Sequence, residues 1–203
     1  HLASRRQRQM CIRDSTQTTP AEPTEAAIVE QAGAPLFDGM GDYTRPISTS
    51  NPYVQRYFDQ GMVMAFGFNH AEAIRSFRAA QALDPDCAMC FWGEALATGP
   101  NINVTANGKP VMTEAEQIAA YAALQRALEL APDAPQIERD MIAALATRYT
   151  EEPVDDRTQI DIQYAQAMGE LKASYPDDDD IAAMYAEAWM NTCLLYTSDA
   201  ADD

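Results

Sequence analysis

From Pro52 onward, apolar residues recur at helical spacing, and the pattern is laid down three times. Ala73, Phe77, Ala80 and Pro85 form the first ladder, with steps of four, three and five residues. Ala120, Leu124, Ala127 and Pro132 repeat it, and so do Tyr164, Met168, Leu171 and Pro176. Positions four and three apart share one face of a helix, so each ladder predicts an amphipathic helix. Asp follows each Pro, at Asp86, Asp133 and Asp177. The Pro stops one helix and the Asp can start the next. Another amphipathic stretch precedes each ladder, at about 53–67, 87–98 and 135–149, and a fourth begins at Asp180. The pattern predicts an all-α chain of helical hairpins, with no strands, since no segment alternates with period two. Residues 16–51 are rich in Thr, Pro, Ala, Glu and Ser and weakly periodic. They predict a linker or extended lead that settles onto the fold near Pro35–Phe37.

The repeat resembles the tetratricopeptide repeat, a 34-residue helical hairpin with small and aromatic residues at fixed offsets. Tyr57, Gly61, Ala73, Phe77, Ala80 and Pro85 occupy its signature positions in the first repeat. Small Gly61 and Ala73 let paired helices approach, and Phe77 and Ala80 pack on the next hairpin. The second and third repeats are longer, with the additional residues near 99–112 and 150–158. The third also carries bulky Tyr164 and Leu171 where small residues are usual. The resemblance covers about 52–192, or roughly three and a half hairpins. It implies an α-solenoid, a right-handed superhelix with a concave surface lined by the first helix of each hairpin. The string FNHAEAIRSFRAAQALDPDCAMCFWGEALATGPNIN is similar to a group of bacterial tetratricopeptide-repeat proteins, a similarity that brings no established chemistry.

The two ends are related to each other. One codon choice for Arg5 to Ser15 (RRQRQMCIRDS), read on the opposite strand one base in, encodes CLLYTSDAAD, which is Cys193 to Asp202. The shared oligonucleotide resembles a transposon-library sequencing adapter. Residues 1–15 and 193–203 are therefore expected to be adapter-derived, and the remainder to be a fragment of a longer protein. Cys11 and Cys193 then drop out of the reasoning, leaving Cys87 and Cys90.

Composition narrows the function. The chain has 31 Asp and Glu against 14 Lys and Arg, and a net charge of −17. The two ends hold four Arg and four Asp, so trimming them leaves that charge unchanged. No nucleic-acid partner is expected for such a surface, because phosphate neutralisation needs Lys and Arg. No apolar run approaches the roughly 18 residues of a membrane span.

Cys87-Ala-Met-Cys90 is the one motif with a chemical reputation. Phe91 stands where haem attachment needs His, and zinc lacks further ligands. Three readings stay open for the pair: buried packing thiols, a local disulfide, or a redox or metal site at a helix N-terminus. His70 closes the turn of the first hairpin and is expected near the Asn-rich loop, within reach of Asn101 or Asn103. That loop, with Asn101, Asn103 and Asn107, is a candidate contact surface because long irregular loops are often functional. The run Asp177–Asp180 reads as capping for the last helix. No nucleophile–base pair, phosphate-cradling glycine loop or acid–base carboxylate pair is present, so no catalytic residue and no cofactor is predicted. The expected function is a non-enzymatic scaffold for a protein or peptide partner of basic character. The alternative is an exported thiol- or metal-handling protein using Cys87 and Cys90. A Thr/Pro/Glu-rich lead is common after a signal or lipoprotein sequence, which points to the periplasm or envelope, though an ordinary linker has the same composition.

Overall fold

The computed structural model describes residues 23–102 and 112–197, and every regular element among these is a helix. The segments expected to be adapter-derived lie outside the described residues, apart from the backbone of 193–197. The helices are α1 (Glu25–Ala32), α2 (Pro52–Phe66), α3 (His70–Leu83), α4 (Ala88–Thr98), α5 (Glu114–Leu130), α6 (Gln136–Ala146), α7 (Thr158–Ser174) and α8 (Asp179–Thr197). A single 3-10 turn, Ala131–Asp133, follows α5. Helices α2, α4 and α6 are those predicted ahead of the ladders, α3, α5 and α7 carry the ladders, and α8 starts one residue before its expected position. None of the described helices is long and apolar enough to cross a membrane.

The boundaries follow local chemistry. Asn51 caps α2 by accepting from the Tyr53 amide at 3.0 Å, and Pro52 sits at the first helical position, where no amide donor is needed. Thr113 and Glu116 form a reciprocal capping box at the start of α5. Asp178 accepts from the Ile181 amide at 2.9 Å and so opens α8, as the acidic run predicts. Helix α1 departs from the extended lead expected over 16–51. Thr24 caps it, Gly33 ends it in the left-handed region at φ 72°, and Ile28 and Ala32, four apart, are buried. Eight residues with only two core positions leave too little periodicity to stand out in sequence.

Each helix from α2 to α8 packs on its successor; α1 also packs on α3, and α4 on both α2 and α6. All the ladder residues of α3, α5 and α7 are buried. Phe77 lies at the centre of the first three major helices. Its ring meets Phe58 of α2 edge-on, with centroids 5.5 Å apart, and Phe58 in turn packs against Trp92 of α4. A β-carbon added at Gly61 would come to 2.7 Å from the Phe77 ring, and one at Gly93 closer still. These glycines open both neighbouring helices to the ring. Trp92 also donates its indole N–H to the Met141 carbonyl of α6 at 3.2 Å.

The third ladder solves its bulk differently. Tyr164 is buried, and the guanidinium of Arg148 lies 4.5 Å above its ring centre. Arg148 also donates to the Pro100 carbonyl at 2.8 Å, and Arg157 donates to the Arg148 carbonyl at 2.6 Å and to Asp161 at 3.2 Å. Gln117 of α5 holds both the N–H and the carbonyl of Val154. The inserted stretch after α6 is thus tied at both ends, while Glu151, Glu152, Asp155 and Asp156 stay exposed.

Gly93→Ala is expected to destabilise the chain although alanine favours a helix by ~1 kcal/mol. Overpacking against Phe77 costs ~1–3 kcal/mol. Urea denaturation should show the net loss, and adding Phe77→Leu should recover part of it. An unchanged midpoint for Gly93→Ala would contradict this packing.

Candidate functional site

The least expected feature is the path of residues 34–50. This segment runs without regular secondary structure along α2 and reaches α6 and the start of α8, held almost entirely by side chains of those helices. Tyr57 donates its hydroxyl to the Ala34 carbonyl at 2.5 Å. Gln60 accepts from the Phe37 amide at 2.8 Å and donates to the Pro35 carbonyl at 3.1 Å. The preceding residue, Asp59, accepts from the Arg45 amide at 3.0 Å. Gln55 donates to the Arg45 carbonyl at 2.8 Å and accepts from the Ile47 amide at 3.0 Å. Gln55 and Asp59 stand four apart on one helical face, so a single stripe of α2 reads the backbone of alternate residues.

The opposite edge belongs to α6. Glu138 accepts from the Ser48 amide at 2.7 Å and from the Ser48 hydroxyl at 2.6 Å. Thr49 then donates to Asp84, at the end of α3, at 2.9 Å. Amides of Arg45 and Ile47 go one way and that of Ser48 the other, the alternation of an extended chain. Burial alternates too: Arg45 and Ile47 are buried, whereas Thr44, Pro46 and Ser48 are exposed.

Arg45 makes the strongest contact. Its guanidinium binds both oxygens of Asp178, at 3.0 and 3.1 Å, and also Asp180 at 3.0 Å. Its other side touches the Met141 sulfur at 2.9 Å. A bidentate, charge-assisted pair of this kind is about twice as strong as a neutral hydrogen bond. Burial raises the Asp178 carboxyl, yet the Arg45 and Ile181 hydrogen bonds outweigh it and hold the group below its ordinary value. Asp59 is the opposite case, pushed up by burial despite donors from Arg45, Thr44 and Gln55. Tyr43 donates to Asp180 at 2.9 Å, and burial beside that carboxylate pushes its phenol far up.

Cys87 and Cys90 are joined in a disulfide, with their Cα atoms 5.4 Å apart. Cys87 is also the N-cap of α4, its sulfur accepting from the Cys90 amide at 3.2 Å. Of the three sequence alternatives, this is the local disulfide rather than a pair of free packing thiols. Both residues are nonetheless buried, at 2% and 0% exposure, so a partner thiol meets neither sulfur directly. Among the described residues, no three His, Cys, Asp or Glu side chains are grouped to hold a metal ion.

His70 and Asn101 do come together, lining one small cavity with Ile74 and Glu116. The imidazole makes no hydrogen bond to Asn101, since both of its nitrogens are buried without a hydrogen-bond partner. The ring instead meets Phe68 edge-on at 6.1 Å, and the Ala97 backbone lies beside it without hydrogen-bond geometry. Phe68 adopts the left-handed region at φ 59°, uncommon for a non-glycine residue. Beyond it opens an apolar cavity of about 350 Å³ walled by Phe66, Leu96 and Met190. Asn103 and Asn107 lie outside the described residues. Trp189 of α8 is 38% exposed.

Sequence reasoning missed Tyr43, Arg45, Ser48 and their acceptors Gln55, Asp59, Gln60 and Glu138. One signal was available: a lone Arg within a lead otherwise devoid of basic residues. Compared with known protein families, curated proteins and solved structures, the chain shows no match.

His70 generates a pH dependence. Burial lowers its pKa from 6.5; Glu187 opposes this shift and Arg148 adds to it. Its folded-state value lies below its unfolded one, so its stability contribution is full above about pH 6.5. As pH falls below that, the unfolded chain takes up the proton first and stability declines, levelling off below the folded-state value. Denaturation from pH 8 to 5 should show this decline in the parent and not in His70→Gln. Parallel curves would contradict it.

Proposed function

We propose that the protein is a non-enzymatic scaffold of the tetratricopeptide-repeat type that holds an extended, basic segment of a protein partner. The alternation of helices α2 to α8, with Phe77 seated between Gly61 and Gly93, supports the repeat reading. In such an array α2, α4, α6 and α8 line the concave side, the surface these solenoids use for binding. The observation that carries the function is the capture of Arg45 by Asp178 and Asp180, with the flanking backbone held by Gln55, Asp59 and Glu138. Side chains that grip peptide amides, together with carboxylates that grip a guanidinium, are the equipment for recognising extended basic sequence. The net charge of −17 adds a long-range field that draws such a partner in.

The alternative, thiol chemistry at Cys87 and Cys90, has weaker support because the bonded pair is buried. The disulfide fits better with residence in an oxidising compartment, in keeping with a bacterial periplasm or envelope.

Selection from a random-peptide library against the intact chain is expected to enrich Arg and Lys, with affinities that weaken as salt rises. Replacing the key Arg of an enriched peptide by Ala should weaken binding roughly tenfold or more, the equivalent of one charged hydrogen bond. Enrichment of acidic or uncharged peptides would overturn the proposal.

A further inference from the structure

The segment that fills this face is held mainly as a ligand would be, by polar side chains on its backbone and on Arg45, and Ile47 is the one side chain of residues 42–50 that joins the hydrophobic core. Its contacts come from its two edges and from beneath, and its outer face is open. Thr44, Pro46 and Ser48 face solvent, so lifting residues 42–50 uncovers only the strip beneath them. The segment is flanked by Gly39 and Gly41, both left-handed at φ 75° and 81°, where an added β-carbon would meet nothing within 4 Å. At the other end it joins α2 at Asn51. Residues 42–50 therefore form a short arm between a glycine pivot and a helix cap.

The strip beneath needs a cation. Asp59, Glu138, Asp178 and Asp180 all turn toward the segment, and Arg45 is the only cation that any of them binds among the described residues. Emptied, the face would set these carboxylates against one another. Asp180 already pushes the Asp59 carboxyl upward. Any occupant must supply a guanidinium or ammonium group together with free backbone amides.

We propose that residues 43–48 (Tyr-Thr-Arg-Pro-Ile-Ser) are a tethered internal occupant of the partner-binding face. The external partner is then an extended segment of the same chemistry: an aromatic hydroxyl two residues before an Arg, a residue without an amide hydrogen after it, and a hydroxyl three residues on. This inference rests on the scaffold function proposed above. The tether sets the regulation. A linked segment competes at an effective concentration in the millimolar range. The apparent affinity for a free segment falls by the fraction of time that the arm is open. Only partners that bind better than the arm, or that are presented in several copies, displace it.

The test uses a fluorescein-labelled peptide of Gly41 to Ser50, titrated onto the intact chain and onto an Arg45→Gln, Ser48→Ala variant. These substitutions weaken the arm and leave every receiving side chain in place. The peptide is expected to bind the variant at least tenfold more tightly than the intact chain. Adding Asp178→Asn and Asp180→Asn to the variant should remove that gain. Equal affinity for the intact chain and the variant, or no binding to a variant of unchanged helicity, would overturn the proposal.

Hydrogen exchange on the unaltered chain gives a second measure. The amides of Arg45, Ile47 and Ser48 should exchange at least tenfold faster than those in the middle of α2, because the arm opens without global unfolding. Equal protection would make the segment a fixed part of the fold. Library-selected basic peptides that bind chain and variant alike would leave the scaffold standing and remove the tethered occupant.

Discussion

The close approach of α2 and α4 to the ring of Phe77 is the constraint on which everything else depends. Two helices can flank one aromatic ring this tightly only where they carry no side chain, and Gly61 and Gly93 supply those gaps. Once α2 is fixed by that contact, the stripe of Gln55, Asp59 and Gln60 is fixed as well, because all of these side chains project from the same rigid helix. Trp92 then fastens α4 to α6 through the Met141 carbonyl, which brings Glu138 to the opposite edge of the strip. A packing contact in the middle of the first hairpin thereby sets the spacing of polar groups that read a peptide backbone on its surface.

Electrostatics acts on top of this frame. In a chain with so large an excess of acid, carboxylates that converge are a liability unless a cation lies between them. Arg45 fills that role for the α7–α8 junction, and its bidentate hold on Asp178 joins the N-terminal lead to the last helix across 133 residues of sequence. Asp178 serves two donors at once, the Arg45 guanidinium and the Ile181 amide. The residue that opens α8 is therefore also the residue that closes the grip.

The helices were legible in sequence because their cause is local. Ladders such as Ala73, Phe77 and Ala80 carry the helical period, and Pro-Asp pairs mark where each helix stops. Gly61, Ala73 and Phe77 could also be placed from the repeat resemblance. The Arg45 grip was not legible, since its two halves lie far apart in sequence and a segment held mainly by polar side chains of other helices has no apolar rhythm. The run Asp177–Asp180 was read correctly as a helix start, but capping alone accounts for only part of what Asp178 does. His70 and Asn101 line one cavity, as their sequence positions suggest, without a hydrogen bond from the imidazole. For Cys87 and Cys90 the spacing could be read, whereas their oxidation state needed coordinates.

That disulfide lies at the start of a helix with four helical neighbours. It spans the N-cap and third residue of α4, and a ring so small removes little loop entropy from the unfolded chain. Its effect is instead on nucleation, the costly first turn of any helix. With that turn already tied, α4 can propagate as soon as the bond exists. It is the helix that touches α2, α3, α5 and α6. The bond therefore pins the start of the helix on which four others pack.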